Sequence, residues 1–111
     1  MAGGTIKNLT YHPELYVGDS ISWKKLDKIK RKLQTKPLLA NVFLITIASN
    51  PRDQLDILDA RQIAQPHYNG VELYVVGIAS NYEEAVALLE KIVKECLKER
   101  GDCALKEYLL C

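Results

Sequence analysis

With 111 residues, 48% hydrophobic and 26% charged, the chain is long enough to bury a real core and fits one domain. A formal net charge of +1 argues against a uniformly basic nucleic-acid domain, and no apolar run approaches a bilayer span, so no membrane partner is expected. The opening Met1-Ala2-Gly3-Gly4-Thr5-Ile6-Lys7 lacks the charged-then-apolar order of a secretory signal. Cys96, Cys103 and Cys111 do not make a disulfide framework, so a reducing cytoplasm is expected.

Residues 1–12 read as a flexible N-terminal arm and 13–111 as a single α/β domain. Glu14-Leu15-Tyr16-Val17 is expected as a short strand, because it recurs almost verbatim as Glu72-Leu73-Tyr74-Val75. Gly18-Asp19-Ser20 then turns the chain, with Asp19 or Ser20 available to cap a helix. That helix, over about 22–34, stacks Leu26, Ile29 and Leu33 on one face, with Trp23 at its edge. Pro37 ends it, because the residue before a proline disfavours helical geometry.

A second strand over 41–48 is apolar nearly throughout, as expected where a sheet is covered on both sides. Ser49 or Asn50 can cap a helix over 52–64, with Pro51 in its first turn and Leu55, Leu58 and Ile63 as buried positions. Residues 65–70 are a loop by composition, closed by Asn69-Gly70. The strand over 72–79 leads into the strongest helix, where Ser80 and Glu83 have capping-box spacing. Val86, Leu89, Ile92, Val93 and Cys96 form its apolar stripe, and Gly101 stops it. The tail over 103–111 is too apolar to be free and is expected to pack as a short helix or an edge strand.

The tetrapeptide Ile47-Ala48-Ser49-Asn50 returns as Ile78-Ala79-Ser80-Asn81, 31 residues later, each copy after a β-branched run and before a helical pattern. Two strand–turn–helix units imply a small single-domain fold of βαβαβα type, its mainly parallel sheet flanked by helices. The strands over 42–48 and 73–79 are then adjacent or nearly so, and parallel. So few strands, with an exposed edge, point to a homodimer with Tyr82, Leu89 or the 105–110 tail near the contact.

No motif reaches a catalytic signature, and an enzymatic role is left open. Gly18-Asp19-Ser20 resembles the nucleophile motif of the SGNH (GDSL-type) hydrolases over three residues. That family pairs its serine with a late Asp-x-x-His. Neither His12 nor His67 has that spacing, so the tripeptide reads as a turn and cap. Ser49, Asn50, Ser80 and Asn81 stand where an open α/β sheet binds small anions, although capping alone also explains them. No glycine-rich phosphate loop accompanies them.

Charge is unevenly placed. From Lys24 to Lys36, seven basic residues face the single acid Asp27, a local +6, and the rest of the chain is −5. Lys24, Lys25, Lys28, Arg31 and Lys32 share the outer face of the first helix, beside Trp23. That face could meet nucleic acid or an acidic protein, or simply be solvated. Cys96 reads as a core residue. Cys103 and Cys111 lack a CxxC partner, and Asp53, Asp56 and Asp59 form an acidic row on a helical face rather than a metal site. No metal or cofactor is expected. The reading is a non-enzymatic interaction or regulatory module, probed first at the first helix and then at the strand-end turns.

Overall fold

The computed structural model describes residues 8–48, 54–68, 72–102 and 104–110, apart from the side chains of Asn8 and His67. In chain order the elements are β1 (Asn8–Val17), α1 (Trp23–Thr35), β2 (Phe43–Ile47), β3 (Leu55–Asp59), β4 (Glu72–Ala79), α2 (Tyr82–Arg100) and α3 (Leu105–Leu110). Short 3-10 turns occupy Pro37–Leu39, Ala60–Ala64 and Pro66–Tyr68. No helix of the described residues is long and apolar enough to cross a membrane.

The fold is mixed α/β, built on one four-stranded sheet of order β1-β4-β2-β3. β1 and β4 are the one parallel pair of neighbours; β2 is antiparallel to both β4 and β3. This corrects the mainly parallel βαβαβα expectation. The two repeat strands are neighbours, with Leu44 opposite Ile78, but they run in opposite directions. The cause is the segment read as a helix over 52–64. Residues 55–59 instead pair with β2, Ile45 opposite Ile57, and Ala60–Ala64 is a single 3-10 turn. β3 runs opposite to β2, and the chain then crosses β2 to enter β4 in the same direction as β3, so β4 also opposes β2.

β1 starts at Asn8, so residues 8–11, expected in the arm, pair with β4 from Glu72 to Val75. Its register slips between Tyr11 and Tyr16, which face Val75 and Gly77. His12-Pro13-Glu14-Leu15 bulges out there, a place where a proline loses no ladder hydrogen bond. β4 slips too, at Val76-Gly77 against Ile45-Thr46. A Cβ on Gly77 would stand 3.1 Å from Ile45 Cδ1, so glycine suits this close crossing.

Both faces of the sheet are covered. Val75 and Ile78 of β4 join Leu44 and the α1 residues Leu26 and Leu33 in one core, with Ile63 from the 60–64 turn. Their chain neighbours Val76 and Ala79 join Ile45, the α2 residues Ala85, Leu88, Ile92 and Cys96, and Leu105 and Leu109 of α3. That is why β2 and β4 are apolar without alternation: side chains on both faces are dry. α2 buries Ile92 and Cys96 of the expected stripe together with Ala85 and Leu88, leaving Val86, Leu89 and Val93 partly buried at its flank. Gly101 ends α2 at φ 77, its N–H donating to Leu97 O at 2.8 Å. α3 is held by Leu105 and Leu109 and by the Leu105 N–H, which donates to Gln54 Oε1.

Candidate functional site

β1 and β4 are parallel neighbours whose following helices cover opposite faces of the sheet. Their carboxyl ends therefore part at a topological switch point, the position where open α/β sheets form a crevice. Gly18-Asp19-Ser20 leaves β1 there and Ser80-Asn81 leaves β4, tied together by the Gly18 N–H donating to Ile78 O at 2.9 Å.

Glu84, in the first turn of α2, fills the gap between the two turns. Its Oε1 accepts from Ser80 N at 2.8 Å, Ser20 Oγ at 3.0 Å and Ser80 Oγ at 3.1 Å, and its Oε2 from Ser20 N at 3.4 Å. The two hydroxyl oxygens are 2.6 Å apart. Asn81 is the cap of α2, its side chain accepting from the Glu84 N–H at 2.8 Å. The expected Ser80–Glu83 box is therefore not formed: Asn81 caps the helix, and the Glu84 side chain accepts from Ser80 N rather than from the cap's own N–H. Burial works to raise the Glu84 pKa, but the hydrogen bonds from Ser80 and Ser20 together outweigh it and hold the carboxyl below its ordinary range. A Cβ on Gly18 would fall 1.9 Å from Glu84 Oε1, so only glycine lets the carboxylate cross.

Chemically, the Glu84 carboxylate takes the place an anionic ligand would occupy at the α2 N-terminus. Ser80 and Asn81 are thus brought together, but as parts of an internal bridge. Among the described side chains, Ser20 Oγ is hydrogen-bonded to Ser80 and Glu84 alone, and a carboxylate held at low pKa is a weak base for a serine. His12 lies elsewhere, bonded to Leu109 O. Ser49 and Asn50 lie outside the described residues, as do Asp53, Cys103 and Cys111. Cavities of about 240 and 170 Å³ flank Gly18-Asp19; Trp23 lines the first, Glu84 and Lys91 the second.

The second candidate surface begins at that first cavity. Ser22, rather than Asp19 or Ser20, caps α1 by accepting from Lys25 N at 3.3 Å. With Leu26 and Leu33 buried, Lys24, Lys25, Lys28, Arg31 and Lys32 are all exposed, and Trp23 is 82% exposed. Lys30 differs: half-buried, its Nζ lies 4.8 Å from the centre of the Tyr11 ring. The described ion pairs are Asp59–Arg61, Arg100–Asp102 and Arg100–Glu107, none of them on α1. Exposed Leu38 and Leu39 continue the surface past the helix end.

The acidic row is not a helical face. Asp56 and Asp59 lie on β3, and Asp59 caps the 60–64 turn while pairing with Arg61 at 2.7 Å. No group of three potential metal-ligating side chains occurs among the described residues. Cys96 is buried, its thiol donating to Asp102 O at 3.3 Å.

A third concavity was missed in the sequence. The β1 bulge, the start of β4 and α3 border a half-open concavity of about 440 Å³ lined by His12, Tyr16, Tyr74 and Tyr108. One signal pointed there: Tyr16 and Tyr74 are equivalent positions of the repeated Glu-Leu-Tyr-Val. Comparison with protein-family models, with curated proteins and with solved structures finds no match for this chain.

Proposed function

We propose that this protein is a non-enzymatic binding module that docks an acidic partner protein on the outer face of α1. The observation that carries this reading is five exposed cations on one helix with no ion pair among the described residues. Intramolecular pairing would have neutralised such a row at little cost. Left open, it attracts a polyanion and steers its approach. The exposed leucines Leu38 and Leu39 add apolar contact of the kind protein interfaces use.

A second reading, contact with single-stranded nucleic acid, is favoured by Trp23, whose exposed ring could stack on a base. The small-anion reading at Ser49, Asn50, Ser80 and Asn81 has less support, because Glu84 already engages the donors of Ser80 and Ser20. Self-association through the open sheet edges and exposed Tyr82 and Leu110 remains part of the proposal, as does a cytoplasmic location. Light scattering that finds a monomer at high concentration removes the dimer.

Trp23 is the sole tryptophan, so its fluorescence reports directly on this face. Titration at low salt with polyglutamate and with a single-stranded oligonucleotide separates the two readings. Polyglutamate binding that weakens with salt, and that vanishes when Lys24, Lys28, Arg31 and Lys32 are changed to Glu, supports protein docking. Oligonucleotide binding with strong quenching supports the second reading instead. Silence with both polyanions removes the α1 proposal.

A further inference from the structure

The tyrosine-lined cavity at the β1 bulge has walls that suit one class of ligand. We propose that it binds a small organic cation of the quaternary-ammonium type between the rings of Tyr16, Tyr74 and Tyr108. Aromatic faces carry negative charge density and attract cations that need little hydration. Glu14 lines the same cavity, and Glu95 of α2 accepts from the Tyr16 hydroxyl at 3.0 Å. No lysine or arginine is among the described lining residues. The lining is therefore aromatic and, through Glu14, acidic, which favours a cation over an anion.

The rings are held before any ligand arrives. His12 bridges the bulge to α3: its Nε2–H donates to Leu109 O at 2.9 Å, and its Nδ1 accepts from the Glu14 N–H at 3.0 Å. In that arrangement the imidazole is neutral and adds no opposing charge. Tyr74 meets the His12 ring edge-to-face, with centroids 6.2 Å apart and planes at 84°. Burial, followed by the bonds to Glu95 and Tyr108, pushes the Tyr16 hydroxyl pKa upward, so the phenol stays protonated and donates towards the carboxylate. Tyr108 is carried by α3, which Leu105 and Leu109 dock against α2. Preorganisation of this kind lowers the ordering cost of binding.

The site shares no residue with the α1 surface, so the two proposals succeed or fail separately. The test uses the full chain and two probes, choline and its uncharged carbon isostere 3,3-dimethyl-1-butanol, followed by tyrosine ring NMR shifts. Choline should bind at least about tenfold more tightly than the isostere and shift the Tyr16, Tyr74 and Tyr108 signals. Glu95→Gln should weaken choline several-fold and leave the isostere unchanged, whereas Tyr108→Phe should keep choline because it keeps the ring. Tyr74→Leu should abolish choline binding in a chain whose circular dichroism is unaltered. If that variant does not fold, the comparison of the two probes on the unaltered chain still decides. Equal affinity for the two probes makes the cavity a plain apolar hollow and overturns the proposal. So does choline that leaves the three tyrosine signals unmoved.

Discussion

Glu84→Gln and Glu84→Ala test whether the switch point is closed from within. Glu84 accepts from two backbone N–H groups and two hydroxyls that belong to the turns after β1 and β4. Each bond to a charged acceptor contributes about 1.5–3 kcal/mol where water is excluded. Here the carboxyl is only partly buried, two contacts are side-chain hydroxyls that can turn to water, and one is long at 3.4 Å. The removable share is therefore about 1–2 kcal/mol for Ala, and roughly half of that for Gln, which keeps an acceptor but not the charge. In a domain of this size that corresponds to a fall of about 4–8 °C in Tm per kcal/mol. The pH dependence has a definite sign. The folded-state pKa is depressed, so the contribution is fully present above the unfolded glutamate value of about 4.3 and is lost as pH falls through the lower folded value. Urea unfolding at neutral pH and in acid, with Glu84→Gln beside the unaltered chain, measures both. Equal stability at neutral pH, or a deficit that persists undiminished in acid, refutes the bridge.

Gly18→Ala should cost about as much as Glu84→Ala, because its Cβ would displace the carboxylate, and the double variant should cost far less than the sum; additivity in unfolding experiments would show that the two do not meet. Ser80→Asp would suit a plain helix cap, yet Ser80 Oγ stands 3.1 Å from Glu84 Oε1, so two carboxylates should lower the Tm at neutral pH and less so in acid. Ile92→Ala should destabilise by about 2–5 kcal/mol and Val93→Ala by only about 1 kcal/mol in urea titrations, since α2 buries the former and carries the latter at its flank. Gly101→Ala should cost about 1 kcal/mol by the same assay, because alanine is strained at φ 77.

Much of the local structure was written in short-range chemistry. Leu26, Ile29 and Leu33 at 3-4 spacing, ended by Pro37, specify α1 and leave its cations on the other face whatever the helix packs against. The apolar runs over 42–47 and 73–79, free of alternation, specify strands with two dry faces. Gly101 behind Lys98 and Arg100 marks the end of α2. Strand direction was not local information. Leu55, Leu58 and Ile63 fit a helical face by spacing, and Pro51 fits a first turn, but the edge of β2 offers residues 55–59 a ladder that propensity does not see. With β3 on one side of β2, the chain crosses to the other side and enters β4 without a further reversal, and that sets the direction of β4 relative to β2. The two Ile-Ala-Ser-Asn copies look alike because each closes an apolar strand, and the end of a strand has the same chemistry in either direction. The candidate sites divide along the same line. The basic face of α1 follows from periodicity within thirteen consecutive residues. The Ser20–Ser80–Glu84 bridge spans 60 to 64 residues of chain, and the tyrosine cavity draws on β1, β4 and α3. Contacts that distant exist only once the parallel pairing of β1 with β4 has fixed their register, which is why tertiary structure alone could assemble them.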